Sequence, residues 1–245
     1  LQNPAQRTWK IIQAHLPTIH LPVGLEGGGN ITVGQARSDG YLLFHPLSNA
    51  RAHAANGVAL DEKSFAILEP GSDFCVRCNT QHDWCSVFLP THVLAGGDVI
   101  MEPSSGTDKA ACRVVRGSLQ AANRFRSFAS QVVNAAGHAA HFESTAAAKR
   151  LSADMLVLIS SILGQRPACT AVQEARPESP RQEVTRRCQQ FLEEHEGEPI
   201  NTDDLTDVAD VSARTLRRVF AGYFGVTPIR FLLLRQLNRA HRALK

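Results

Sequence analysis

The spacing of the apolar residues changes near residue 117, and this change constrains the fold more than any other feature of the sequence. Up to about residue 105 the apolar stretches are short, and Gly, Pro, Asn and Asp turn signals separate them. This pattern is typical of short antiparallel strands. The apolar stretches cover residues 30–33, 41–44, 64–68 and 85–89, and the turn signals cover residues 26–30, 38–40, 56–57, 70–71 and 96–97. We therefore expect an antiparallel barrel or sandwich, preceded by one short helix within residues 6–15.

Two amphipathic helices are predicted after residue 117, because apolar residues there recur at steps of three and four. The stripe of the first helix comprises Ala122, Phe125, Ala129, Val132 and Ala136, and Gly137 ends it. The second helix covers about residues 144–163, with an apolar arc wide enough to predict a homodimer contact. The predicted contact residues are Leu151, Met155, Leu158 and Ile162. An intrachain core helix remains the alternative.

The chain is expected to divide into two domains. Residues 165–180 carry three prolines and almost no large apolar side chain, which is typical of a linker. The predicted fold class is therefore α+β, with a β-barrel and two helices in residues 1–164 and an all-helical domain in residues 181–245.

Composition excludes several classes of protein. The longest apolar run, residues 155–159, is far shorter than the ~20 residues of a membrane-spanning helix, so we expect no membrane partner. The first residues lack the apolar stretch of a signal peptide, which predicts a cytoplasmic protein, and without an initiator Met we expect a trimmed amino terminus. The 6 cysteines are too few and too unevenly spread for a disulfide scaffold, so we expect reduced thiols.

Charge is distributed unevenly at the carboxy-terminal end. Residues 182–210 are rich in Asp and Glu, whereas residues 211–245 carry Arg and Lys and no acidic residue. The basic residues are Arg214, Arg217, Arg218, Arg230, Arg235, Arg239, Arg242 and Lys245. Such a segment predicts a surface for a polyanion, unless the charges only solvate exposed helix faces.

The spacing within this basic segment indicates a helix-turn-helix. Leu205 and Ala209 mark the inner face of one short helix, and Leu216 and Phe220 mark that of the next. A tight turn at residues 210–211 joins them, and Ser212 can cap the second helix. The residues of the second helix that remain outside this core are candidates for contact with double-stranded DNA. Together with the cap they are Ser212, Arg214, Thr215, Arg217 and Arg218.

Residues 208–244 resemble the first half of the DNA-binding domain of AraC/XylS-type regulators. The resemblance rests on the Ala-containing first helix, the Ser-capped second helix, the Phe-Gly-x-x-Pro turn at residues 224–228, and the Arg-rich pattern of residues 235–242. The sequence departs from the family pattern at Gln236 and His241. Within the family it is most similar to the ethanolamine-operon regulator branch.

The resemblance implies a transcription regulator, expected to be an activator, with a cupin-like amino-terminal sensor domain that dimerises. It also implies a small-molecule or protein effector and contact with RNA polymerase. Family members carry two helix-turn-helix units on a linker helix. The sequence ends at Lys245, so we expect the second unit to have been cut away or not included.

A second hypothesis is a metal- or thiol-sensing regulator. Cys75, Cys78, His82 and Cys85 form a CxxC-x3-HxxC string with four possible zinc ligands. Residues 75 and 78 of a strand point to opposite faces, which works against joint coordination, and residues 79–83 are predicted to form a hairpin loop. We therefore expect no metal or cofactor and interpret these cysteines as structural.

An enzyme is the least favoured class. Cupin-type metalloenzymes use a His-x-His string, which the sequence lacks, and it contains no Walker, Rossmann or nucleophile-elbow motif. A small effector could instead bind inside the barrel, against aromatic side chains and one arginine. The candidates are Phe44, Phe74 and Trp84 with Arg37, Arg51 or Arg77.

Overall fold

A computed structural model describes residues 9–95, 112–136, 146–163 and 180–244. Its strands are β1 (Lys10–His15), β2 (His20–Gly27), β3 (Asn30–Gln35), β4 (Gly40–Pro46), β5 (His53–Ala55), β6 (Val58–Ala59), β7 (Ser64–Leu68), β8 (Asp73–Cys78), β9 (His82–Pro90) and β10 (Cys112–Arg116). Its helices are α1 (Thr91–Ala95), α2 (Leu119–Ala136), α3 (Ala146–Leu163), α4 (Pro180–Glu194), α5 (Thr202–Ala209), α6 (Ala213–Tyr223) and α7 (Pro228–Ala243), with a 3₁₀ turn at Ala50–Ala52. The α+β fold class is confirmed.

The strands form two antiparallel sheets. The order of the six-stranded sheet is β1-β2-β9-β4-β7-β10, and that of the four-stranded sheet is β3-β8-β5-β6. Phe44 and Ala66 on the first sheet share a buried cluster with Ala55 on the second, so the two sheets pack face to face. The four strands expected at residues 30–33, 41–44, 64–68 and 85–89 are all present as parts of β3, β4, β7 and β9.

Each sheet also has an outer face that a helical layer covers. Phe65 and Ile67 on β7 share a core with Phe125 of α2 and Ile159 of α3, whereas Ala66 between them faces the second sheet. This alternation follows from the two-residue period of a strand. Ile31 on β3 belongs instead to the core of helices α4 to α7, so the four-stranded sheet packs on the carboxy-terminal helices.

The helix expected within residues 6–15 is wrong where the structure describes it. Residues Lys10–His15 form β1, which pairs along its whole length with β2. Its inward residues Ile12 and Ala14 alternate with the exposed Ile11, Gln13 and His15, which is the pattern of a half-buried strand. Pairing with β2 determined the structure here, although the adjacent Ile11 and Ile12 interrupt an alternation of apolar and polar residues in the sequence.

The residues expected to form a dimer contact on α3 lie inside the chain. Met155, Leu158 and Ile162 are buried in the core that α3 forms with α2 and the six-stranded sheet, and Leu151 packs against this core. The prediction that this stripe contacts a second subunit is therefore wrong for the three buried residues. The wide apolar arc is accounted for by intrachain packing, because α3 contacts a helix on one side and lies over a sheet on the other.

Parts of the predicted organisation lie outside the described residues. These are Gly137, the start of the second helix before Ala146, the turn at residues 96–97 and the linker up to residue 179. Pro180 already begins α4. The domain limits at 164 and 180 stay a prediction. Among the helices that the structure describes, no segment has the length and hydropathy needed to cross a membrane.

Candidate nucleic-acid interface

Helices α5 and α6 form a helix-turn-helix in which both helix starts are capped by side chains. Asn201 caps α5, accepting hydrogen bonds from the amides of Asp203 and Asp204, and the Asp204 carboxylate bonds back to the amide of Asn201. Asp210 ends α5 in the left-handed conformation (φ 52°), which turns the chain sharply. Ser212 then caps α6 by accepting from the amide of Thr215 at 3.2 Å, as the sequence predicts.

The inner faces of the two helices share one core. Leu205 and Ala209 of α5 and Leu216 and Phe220 of α6 are buried in it together with Cys188 of α4. The Phe220 ring also contacts the rings of Phe224 and Phe231. This packing fixes which side of α6 remains available to a partner.

The opposite side of α6 is exposed and basic. Arg214, Arg217 and Arg218 are exposed, Ser212 is exposed at the cap, and Thr215 is half-buried beside it. The first turn of α6 contains no acidic residue. No carboxylate within the described ranges forms an ion pair with any of the three arginines, so their guanidinium groups are available to a partner. The sequence predicts these residues on the outer face, and the structure brings them together there.

The long helix α7 is fixed to the same unit. Thr227 caps it, Pro228 stands in its first turn, and a guanidinium nitrogen of Arg235 donates to the carbonyl of Leu192 at the end of α4. Burial lowers the pKa of Arg235. Arg235 therefore acts in the fold rather than as a free surface charge, unlike Arg230 and Arg239, which are exposed.

The four-stranded sheet contacts the other end of α6. The Cys75 thiol on β8 donates to the carbonyl of Tyr223, at an Sγ–O distance of 3.9 Å. Arg77, two residues further on the same face of β8, lies against Gly225. Tyr223 is held in this contact, and burial raises the pKa of its hydroxyl. The β domain thus meets the last turn of α6 and leaves the basic first half exposed.

The residues predicted to bind an effector do not form one site. Phe44 and Trp84 pack together between the two sheets, at a ring separation of 6.3 Å. Phe74 is half-buried on β8. Arg37 and Arg51 are exposed and pair with Asp39 and Glu62, so neither faces the interior. Arg77 lies on the outer face of β8, which removes the expected anion anchor from the barrel interior.

The four residues of the CxxC-x3-HxxC string do not come together either. Cys75 faces the helices, and Cys85 is fully buried in the core beneath α2 and α3. The hypothesis that all four residues coordinate one metal ion is therefore wrong, because alternate residues of a strand face opposite sides. Cys78 and His82 remain close, and His53 on β5 joins them. The cysteines in the described ranges are free thiols, namely Cys75, Cys78, Cys85, Cys112 and Cys188.

His53, Cys78 and His82 form a buried triad, a name we keep for these three residues. One side-chain ligand atom from each lies within 4.8 Å of the others. Burial lowers the pKa of His53 to about 4 and lowers that of His82, and it raises the pKa of the Cys78 thiol. No sequence pattern points to His53, because only the pairing of β5 with β8 brings it opposite Cys78.

The α5–α6 pair makes this chain a helix-turn-helix protein with an attached β domain. No protein-family profile matches its sequence, and no curated protein does. The AraC-like transcriptional activator CuxR is similar in structure, with 13% identity and a TM-score of 0.44 over 94% of this chain and 79% of CuxR. ToxT from Vibrio cholerae O395 has 9% identity and a TM-score of 0.39 over 86% of this chain and 76% of ToxT.

A second ToxT structure, from Vibrio cholerae strain SCE256 with a bound unsaturated fatty acid, has 12% identity and a TM-score of 0.39. That match covers 89% of this chain and 77% of ToxT.

Proposed function

We propose that this chain is a sequence-specific DNA-binding regulator of transcription that reads the major groove with α6. The observation that carries the proposal is the exposed row of Arg214, Arg217 and Arg218 on a capped helix whose opposite face is buried. A helix in this position presents the side chains of its first turns to base edges and phosphates. No catalytic step is assigned to the chain.

Charge supports this assignment. An arginine can bind guanine O6 and N7 with two hydrogen bonds or clamp a phosphate, and both roles need a guanidinium that no carboxylate already neutralises. The three arginines of α6 meet this condition. Arg186 and Arg187 of α4 do not, because both pair with Glu183.

The contact between the β domain and the last turn of α6 supports control by that domain. Cys75, Tyr223 and Gly225 lie in this contact, about two helical turns from Arg217 along α6. A ligand that moves β8 relative to α6 would change how the arginines are presented. We therefore propose that an effector acts through the β domain, with a second copy of this chain and RNA polymerase as further partners.

The experiment uses a pool of random-sequence DNA duplexes, from which the wild-type protein selects binders over several rounds. Fluorescence anisotropy then compares the selected duplex with a scrambled one at two salt concentrations. Arg214→Ala, Arg217→Ala and Arg218→Ala are tested one by one. Arg124→Ala, an exposed arginine on α2, is the matched control.

The two roles of arginine give different results. Loss of a base contact should cost about 1–3 kcal/mol for the selected duplex and little for the scrambled one. Loss of a phosphate contact should weaken both duplexes and reduce the salt slope by about one unit. If all three variants bind like Arg124→Ala, the proposal that α6 contacts DNA is wrong.

A further inference from the structure

We propose that His53, Cys78 and His82 bind one transition-metal ion of the zinc class at the end of the β domain. The proposal does not depend on DNA binding, since the triad lies between β5, β8 and β9 and shares no residue with α6. It rests on the convergence of three donor atoms, on the orientation of both imidazoles, and on a buried nitrogen for which the described residues provide no hydrogen-bond partner.

The strands bring the three residues together. His53 and Cys78 are directly opposite each other in the pairing of β5 with β8. The chain then crosses to the other sheet in a short loop and enters β9 at His82. The His53 and His82 rings are 4.6 Å apart and nearly perpendicular.

The distances suit a small metal ion. The donor atoms lie within 4.8 Å of one another. Bonds of about 2.0–2.1 Å to nitrogen and about 2.3 Å to sulfur in a tetrahedral site place the donors roughly 3.3–3.6 Å apart. Side-chain rotations that move the donors by little more than ~1 Å would therefore close the site around an ion.

Both imidazoles are held so that the same nitrogen is available. Nδ1 of His53 lies 3.1 Å from the carbonyl of Asn49, and Nδ1 of His82 lies 2.9 Å from the carbonyl of Thr80. A carbonyl only accepts, so each Nδ1 carries the hydrogen and each Nε2 keeps its lone pair. Metal-binding histidines are commonly oriented in this way by a carbonyl on the second ring nitrogen.

Nε2 of His53 is buried in the triad without a hydrogen bond from any described residue. The whole residue is only 2% exposed. Buried polar atoms in folded proteins nearly always have a partner. A metal ion bound between the three residues would supply that partner.

The surroundings of the triad are apolar and fixed in place. Trp9 contacts His82 edge-on at a ring separation of 4.8 Å, and Phe44 lies 6.0 Å from the His53 ring. The loop before β9 is tied to its neighbour, because the Asn49 side chain donates to the carbonyl of Gln81 at 2.7 Å. These contacts hold the three ligands close to their binding positions before an ion arrives, which lowers the cost of ordering them.

The donor set selects the kind of metal. Two imidazoles and one thiolate suit zinc and its close relatives, whereas calcium and magnesium prefer oxygen ligands. Three protein ligands leave one position of a tetrahedron for a water molecule or for a donor atom from a small ligand.

The test uses the full chain without a histidine tag, reduced and stripped of metal with a chelator. It is titrated with Zn²⁺ in competition with a chromophoric chelator and, separately, with Co²⁺. We expect one equivalent of each metal to bind. Bound Co²⁺ should show the near-ultraviolet charge-transfer band of a cobalt–thiolate bond and the intense visible bands of a tetrahedral site.

Variants assign the ligands. Cys78→Ser should abolish the thiolate band and weaken Zn²⁺ binding by more than about 100-fold, because loss of a group that only hydrogen-bonds to a metal ligand already costs roughly 10–100-fold. His53→Gln should weaken binding similarly. Cys75→Ser is the matched control, since Cys75 is also buried on the same strand but faces the helices. We expect it to bind metal like the wild type.

A measurement on the wild-type protein covers the case in which Cys78→Ser does not fold. X-ray absorption of the zinc-loaded protein should give one sulfur at about 2.3 Å and nitrogen or oxygen neighbours at about 2.0 Å. Absence of binding at micromolar protein, a shell without sulfur or with two or more sulfurs, or binding that survives in folded Cys78→Ser would each overturn the proposal. Equal loss of binding in Cys75→Ser would do the same.

Discussion

Arg77 of β8 lies against Gly225, the residue two positions after the end of α6, and a β-carbon at position 225 would come within 2.9 Å of its Cδ. Gly225 also has a φ of 75°, in the left-handed region that favours glycine. The Phe-Gly-x-x-Pro turn is thus constrained twice, once by its own backbone and once by the β domain.

The first prediction concerns this turn. Gly225→Ala should lower the free energy of unfolding by more than about 1–2 kcal/mol, the cost of a left-handed alanine, because Arg77 must also move. Gly71 has a similar φ of 72°, and no described atom lies within 4 Å of the place where its β-carbon would stand, so Gly71→Ala measures the backbone cost alone. Urea unfolding of both variants gives the comparison, and equal losses would mean that Arg77 contributes nothing.

The matched substitution Gly222→Ala should instead raise the free energy of unfolding. Gly222 lies within α6 and keeps a negative φ, and within the described ranges no atom lies within 4 Å of the place where its β-carbon would stand. Alanine is favoured over glycine inside a helix by about 0.8–1 kcal/mol, so urea unfolding should show stabilisation. A loss of stability would show that the helix does not continue through this position.

The second prediction separates the cap of α6 from its proposed contact with DNA. Ser212→Ala should cost about 1 kcal/mol of stability, because the amide of Thr215 loses its acceptor, and it should also weaken DNA binding. Ser212→Asp keeps a capping oxygen but adds a negative charge beside the DNA, so it should fold normally and bind DNA more weakly. Ser212→Thr should change neither property. Thermal unfolding and anisotropy on the same samples decide between these outcomes.

The third prediction is a dependence of stability on pH through His45. Its Nδ1 donates to the carbonyl of Ser64 at 2.9 Å, and its Nε2 accepts from Arg126 at 3.1 Å. Burial lowers the pKa of His45 to about 4, and the positive charge of Arg126 and, to a smaller extent, His53 act in the same direction. The hydrogen bond to Ser64 opposes this shift only in part.

A lowered pKa means that the folded protein favours neutral His45. The stabilisation is therefore complete above pH 6.5, the value for an unfolded histidine, and is lost as the pH falls towards 4. Between pH 7.5 and pH 5 we expect the wild type to lose about 2 kcal/mol more stability than His45→Gln. Urea unfolding at the two pH values measures this, with His241→Gln on α7 as the control. Parallel losses in the wild type and His45→Gln would contradict the assignment.

The fourth prediction tests the packing of α3. Leu158→Glu places a carboxylate in the core and should cost more than about 3 kcal/mol. Val157→Glu changes the neighbouring residue, which is 70% exposed, and should leave the thermal midpoint nearly unchanged. If sedimentation shows a dimer that Val157→Glu breaks, the exposed side of α3 is the interface. An unchanged midpoint for Leu158→Glu would show that the stripe is not packed within the chain.

The sequence was sufficient for features that depend on neighbours in the chain. The helix-turn-helix could be predicted because Leu205, Ala209, Leu216 and Phe220 follow the helical period and Ser212 is a local cap. Features that depend on strand pairing could not be predicted from the sequence. His53 is 25 positions from Cys78 in the chain, and no spacing rule connects them.

The same reason explains the error on α3. A wide apolar arc shows that a helix is covered on several sides, but it does not say whether the cover comes from the same chain. Met155 and Ile159 are covered by α2 and the six-stranded sheet, which are distant elements of this chain. Of the arginines predicted to hold an effector, Arg77 lies on the outer face because the side of a strand that faces inward depends on its register, whereas Arg37 and Arg51 lie outside the strands.

The two faces of β8 belong to two different buried clusters. Cys78 lies on one side with the triad, Cys75 lies on the other with the last turn of α6, and both neighbours of β8 are hydrogen-bonded strands. Because β8 is hydrogen-bonded on both edges, we expect it to move together with β3 and β5. The triad and the contact with α6 therefore lie on opposite faces of one strand, and we expect a ligand that displaces this sheet at the triad to change its packing against α6.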